Sequence, residues 1–210
     1  MALFNNKHRV ETTRLQNWDY GSSAHYFITI CTKNKAHFFG LIRNDEIILS
    51  PLGDIVHNEW LQTPVIRPDM NLTLGEFAIM PNHFHAIISI GDNKFNSPPR
   101  RDGMHPVSTD TVSTDPVSTD PASKQQGLTQ PDSIAHDLTK NRFGTQSKNL
   151  SSIIRGFKSS VTIKAKKTVP DFGWQERFYD HIIRNDESYN RISRYIIDNP
   201  ANWKNDKLYS

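Results

Sequence analysis

Two apolar runs separated by only two residues constrain this chain most. Leu72 to Met80 and His83 to Ile90 are rich in β-branched and apolar residues, and Pro81-Asn82 between them is a turn dipeptide. The pair is expected to form an antiparallel hairpin in a central sheet. Side chains alternate across a strand, so His83 and His85 project to one face while Phe84 and Ala86 project to the other. Two imidazoles on one rigid face can contribute two ligands to a divalent cation. They can equally be a polar stripe on a half-exposed strand.

The flanking pattern alternates strands and helices. His25 to Lys33 reads as a first core strand, and Phe38 to Ile42 with Glu46 to Leu49 as a hairpin around Arg43-Asn44-Asp45. Ser50-Pro51 is a helix start, followed by Leu52, Ile55, Val56 and Trp60 at helical spacing, with Pro64 expected to stop the run. Trp60 belongs on the apolar face of this helix, and Cys31 is expected to be a small core residue. Beyond Ser147, the residues Leu150, Ile153, Ile154, Phe157 and Val161 mark a second amphipathic helix. Trp174 to Arg184 reads as a fourth strand. Asn185, with Asp186 and Glu187 after it, caps a last helix that Pro200 ends. The order strand, hairpin, helix, strand, strand, helix, strand, helix predicts an α+β fold: a ferredoxin-like or RRM-like antiparallel sheet with helices packed on one face.

Residues 92–146 differ in kind. Val-Ser-Thr-Asp recurs from Val107, Val112 and Val117 at a spacing of five, in a setting of Pro, Ser, Gln and Asp. Such a segment cannot bury enough apolar surface to offset its ordering entropy, so it is read as a long disordered insertion. Residues 1–20 form a polar arm with Lys7, Arg9 and Arg14, expected to be mobile or laid along a partner, and residues 21–210 form the domain that the insertion interrupts. No apolar run is long enough to span a membrane and the start lacks a signal-peptide core, so a cytoplasmic location is expected.

The formal net charge is only +3, but six cations, Lys148, Arg155, Lys158, Lys164, Lys166 and Lys167, fall in residues 148–167 without an acid. Such a run suits a phosphate backbone, or is an ordinary solvated helix face. On the last helix, Tyr195 and Asn199 are four residues apart and share a stripe with Arg191 and Ser188.

Met80-Pro81-Asn82-His83-Phe84-His85, together with Trp174-Gln175, Tyr179 to Asn185 and Tyr195 to Pro200, resembles the single-tyrosine His-hydrophobic-His (HUH) transposases, in particular the REP-associated and insertion-sequence type. The resemblance spans about residues 20–92 and 147–203, and the C-terminal Ala201 to Lys204 matches only loosely. It implies that Tyr195 is the nucleophile, that His83, His85 and Asn199 hold Mg²⁺ or Mn²⁺, and that the protein cuts and rejoins single-stranded DNA through a 5′-phosphotyrosine. DNA with hairpin or inverted-repeat structure is the expected partner, with Lys148, Arg155, Lys158 and Arg191 as candidate DNA contacts. Whether the tyrosine acts in its own chain or across a homodimer is left open.

Two other readings remain at this level. One is a non-catalytic single-strand binder in which Tyr26, Phe77 and Phe84 stack on bases. The other is a zinc hydrolase, which would want more ligands at suitable spacing. Deleting Met104 to Asp137 is expected to leave a folded, cleavage-competent protein, because loop closure costs only a logarithmic entropy term. Aggregation of the deletion variant, or lost cleavage beside an active full chain, would show that the insertion is structural.

Overall fold

The computed structural model describes residues 14, 15, 17–96 and 147–210, and the backbone of two short strands near the N-terminus. The elements are β1 (Leu3–Phe4), β2 (Lys7–His8), β3 (Ala24–Cys31), β4 (Gly40–Arg43), β5 (Glu46–Leu49), α1 (Pro51–Ile66), β6 (Leu72–Met80), β7 (His83–Ile90), α2 (Leu150–Ala165), β8 (Tyr179–Ile183) and α3 (Asp186–Asp198). Short 3₁₀ turns lie at Lys33–Lys35, Pro68–Met70 and Trp203–Asn205. Residues 97–146 of the expected insertion and half of the N-terminal arm fall outside the described residues.

β3, β6, β7 and β8 form one antiparallel sheet in the order β6-β7-β3-β8. With α1 between β3 and β6, and α2 between β7 and β8, this is the ferredoxin-like split βαβ arrangement. Both crossovers have the same hand, so α1 and α2 lie on the same face of the sheet. Between them and the sheet sit Tyr26, Ile28 and Ile30 of β3, Phe84, Ala86 and Ile88 of β7, Val56 and Trp60 of α1, and Ile153, Ile154 and Phe157 of α2. Trp60 is fully buried, its ring centroid 5.0 Å from that of Phe84 and 5.2 Å from that of Phe157. Buried Glu59 ties the two helices together by accepting from Ser160 and Lys164.

α3 is under no crossover constraint, and it packs on the opposite face. Its Ile196 joins Ala78, Met80, Ile87, Ile183 and Trp203 in a second, smaller apolar cluster, with Tyr189 and Ile192 against it. The expectation of helices on one face thus holds for α1 and α2, while α3 takes the other. Gly75 permits the approach. It lies where the β6–β7 register shifts, and a Cβ there would come within 2.6 Å of Tyr189 Oη and 2.9 Å of Ile87 Cβ.

Local signals behave as their chemistry requires. Ser50 Oγ accepts from Gly53 N at 3.1 Å, Asn149 and Ser152 form a reciprocal capping box on α2, and Asn185 Oδ1 accepts from Ser188 N at 2.8 Å. Pro64 does not stop α1, which continues to Ile66. A proline forfeits one helical donor, yet Arg67 N still reaches Thr63 O at 3.2 Å, so the last turn closes around it. The fourth strand is shorter than expected. Trp174 only bridges Thr32, and its indole N–H donates to Lys158 O on α2, so the segment leaves the sheet before re-entering at Tyr179. Arg14 of the arm is anchored rather than loose, with Nε 3.2 Å from Asp180 Oδ1.

Candidate metal and tyrosine site

The two histidines stand at the start of β7, next to the two-residue turn, and both are buried. Their ring centroids are 4.4 Å apart. Each ring is oriented by a hydrogen bond on its Nδ1 side: His83 Nδ1 lies 2.8 Å from Asn82 Oδ1, and His85 Nδ1 lies 2.8 Å from Thr29 Oγ1 on β3. The Asn82 amide is itself fixed, since its Nδ2 donates to Leu208 O at 2.9 Å. Asn82 Oδ1 must therefore accept from His83 Nδ1–H. The proton is thus on Nδ1, and His83 Nε2 carries a lone pair.

That lone pair has no hydrogen-bond partner, although the atom is buried. Burial, with the charge of neighbouring His85 adding to it, pushes the His83 pKa down to about 3. The ring is neutral at physiological pH, as a metal ligand must be.

α3 brings the other groups. Its C-terminal half crosses the histidine face, and Tyr195 Oη lies 3.3 Å from His85 Nε2. Tyr195 is 47% exposed, so a ligand can reach its hydroxyl. Asn199, one turn on, is 97% hidden and its Oδ1 is the second buried polar atom of the site without a partner. Its Nδ2 donates to Asp206 Oδ2 at 3.0 Å. The structure thus brings four residues singled out in the sequence, His83, His85, Tyr195 and Asn199, to one place.

Asp206 is the residue that sequence reasoning missed. It follows the Trp203–Asn205 turn, which folds the C-terminal segment back so that the Trp203 ring packs 5.8 Å from His83. Asp206 Oδ2 then lies 4.0 Å from Nε2 of each histidine and 3.5 Å from Tyr195 Oη. Burial would raise its pKa, but the contacts with His85, Leu208 N–H and the Asn199 amide, together with His83, outweigh burial and hold the carboxyl well below the usual range. Burial and the Asp206 charge raise the Tyr195 phenol above its ordinary value. One ligand atom each from His83, His85 and Asp206 lie within 4.8 Å of one another. Two imidazoles, an orphaned amide oxygen and a carboxylate suit a divalent cation.

The expected DNA contacts divide. Arg191 sits one turn before Tyr195 on α3, beside the site. Lys148, Arg155 and Lys158 lie on or next to α2, across the sheet from it. Lys148 is paired with Asp69, and Lys158 donates to Gln175 O at 2.6 Å. Tyr26 and Phe84 are fully buried and Phe77 packs against the same core, so none of the three is a base-stacking surface.

The chain is 35% identical over 206 residues to an uncharacterized protein of Haemophilus influenzae, covering 96% of this chain and 94% of that one. The chain belongs to that protein's family. No family model matches it. Among solved structures, its fold is similar to a REP-associated tyrosine transposase bound to a REP hairpin, with a TM-score of 0.51 and 14% identity over 91% of this chain and 74% of the other. The chain therefore shares the fold of that transposase. Among the described residues, no helix of this fold is long and apolar enough to cross a membrane.

Proposed function

We propose that the protein is a metal-dependent single-stranded DNA nuclease and strand transferase that works through a covalent 5′-phosphotyrosine. The observation that carries this reading is the convergence on one spot of an accessible phenol and two buried, unpartnered ligand atoms, His83 Nε2 and Asn199 Oδ1. A transposase fold supports it, as does the single-strand and hairpin chemistry that the resemblance implies.

His83, His85 and Asn199 would hold Mg²⁺ or Mn²⁺, with Asp206 beside them, and the bound cation would supply polarisation of a non-bridging phosphate oxygen. The chain's own groups do the rest. Tyr195 Oη bonds to phosphorus as the bond to the 3′ oxygen breaks. The departing 3′ oxygen takes a proton from solvent water, and the downstream fragment stays joined to the protein through its 5′ phosphate. Because the phenol is protonated at neutral pH, its proton must leave during attack, and two acceptors lie within reach, His85 Nε2 at 3.3 Å and the Asp206 carboxylate at 3.5 Å. An aryl oxide is a good leaving group, so the phosphotyrosine keeps the energy needed to reseal a strand.

Asp206 also turns the Asn199 amide. By accepting from Nδ2 it directs Oδ1 inward, and by doing so next to both imidazoles it adds negative charge for the cation. Asp206→Asn is expected to weaken Mn²⁺ binding by about ten- to a hundredfold. Titration calorimetry on the full chain measures this, and an unchanged affinity would remove Asp206 from the metal site.

Arg191 lies where it can meet a phosphate near the cut. Lys148, Arg155 and Lys158 would serve a more distant part of the DNA, such as the stem of a hairpin. The covalent adduct tests the function directly: the wild type is expected to form it with single-stranded DNA and Tyr195→Phe is not.

A further inference from the structure

The histidine face of the sheet is only partly covered. α3 packs mainly over β6 and β7; it covers Ile183 at the end of β8 but leaves Tyr179 and His181 of that strand exposed. Register places Thr29 opposite both His85 and Tyr179, and Phe27 opposite His181, so these side chains share one face. Phe27 is the middle of a row of rings: its centroid lies 5.4 Å from His85, 6.1 Å from Tyr195 and 6.2 Å from Tyr179. Tyr179 is 53% exposed, and His181 is exposed beside it.

β8 is the outer strand of the sheet, and a groove of about 680 Å³ runs around its free edge. Tyr179, His181, Arg184, Ser188 and Arg191 are among the residues that line it. Both arginines are exposed. Of the two acids in the groove, Asp180 is paired with Arg14, and Glu187 is the exposed one. The row of rings therefore leads from Tyr195 into a groove carrying two cations.

Flat rings interleaved with guanidinium groups are what unpaired nucleotides require. Every base has a π face to stack, whatever its identity, and each phosphate seeks a cation. Duplex bases are already stacked on one another and offer no such face. We propose that this groove is the path of the single strand flanking the cut phosphate, with a base on the exposed Tyr179 ring and phosphates on Arg184 and Arg191. The inference rests on the proposed function and assigns the partner's route, which differs from the α2 face that the charge run in the sequence points to.

The test is the binding of fluorescein-labelled oligothymidylate to the full-length Tyr195→Phe protein, followed by anisotropy across a salt series. Tyr179→Ala in that background is expected to weaken binding about tenfold, in line with the loss of one stacked base. Arg184→Gln and Arg191→Gln are each expected to reduce the slope of log affinity against log salt by about 0.7. Lys166→Gln with Lys167→Gln, exposed at the end of α2 on the far face, is expected to change affinity by less than about twofold. Unchanged affinity in the groove variants, or a larger loss in the far-face pair, would overturn the route. Neither result depends on cleavage, so failure of the route and failure of the nucleophile assignment are read from different assays.

Discussion

Tyr195→Phe is expected to abolish the covalent protein–DNA adduct and to lower strand cleavage by about 10⁴-fold or more, while folding and DNA binding survive. Phenylalanine keeps the ring that packs 6.1 Å from Phe27 and 5.3 Å from His85, and removes only the attacking oxygen. The hydroxyl bonds only to exposed or functional groups, so its loss leaves no core donor unsatisfied. Tyr189→Phe is the control. Tyr189 is on the same helix, but its ring packs into the cluster beneath α3, far from the imidazole pair along the strand, and it should form adduct at the wild-type level. Migration of labelled DNA with the protein on a denaturing gel measures both variants. Adduct persisting in Tyr195→Phe would move the nucleophile elsewhere.

The second large effect concerns the imidazoles. His83→Ala and His85→Ala are each expected to lower cleavage by about a thousandfold, the scale of losing several kcal/mol of charge stabilisation at the phosphate, while single-strand binding stays within about tenfold. Chelation with EDTA should reproduce the loss in the wild type, and Mn²⁺ should restore it. His83 is fully buried and holds Asn82 in place, so its truncation also costs packing. His83→Gln keeps most of the volume, and thermal melts of both variants separate unfolding from lost chemistry. Full cleavage by the wild type in EDTA would exclude a metal role.

The sheet, α1, α2 and the last helix were legible because their signals are local. Ser50, Asn149 and Asn185 cap helices whether or not the rest of the chain is known, and Pro81-Asn82 between two apolar runs leaves little choice but a hairpin. The position of α3 was not legible. Its strongly two-sided pattern says that one face is buried but not against which side of the sheet, and that depends on the absence of a crossover and on the room left by Gly75. Tyr26, Phe77 and Phe84 show the same limit. An aromatic in a strand is equally a stacking platform or core until the covering helices are placed, and α1 and α2 cover all three.

Within the site, His83, His85, Tyr195 and Asn199 could be picked out because strand and helix periodicities put each pair on one face. Asp206 could not, since it lies beyond the last helix and reaches the imidazoles only through the Trp203–Asn205 turn. No spacing rule announces such a residue. Asn82 is a similar case. As a turn residue it is ordinary, and its second role, fixing the His83 tautomer, exists only because Leu208 O occupies its amide nitrogen.

The measurement that bears most directly on the proposed site is the polarity of the adduct. Single-stranded DNA with a nearby hairpin, labelled in separate reactions at the 5′ end and at the 3′ end, is incubated with the protein and Mn²⁺ and resolved on a denaturing gel. Attack by Tyr195 with departure of the 3′ oxygen predicts that the 3′-labelled downstream fragment migrates with the protein and that the 5′-labelled upstream fragment is released with a free 3′ hydroxyl. An adduct carrying the upstream fragment, or cleavage with no adduct at any time, would contradict it.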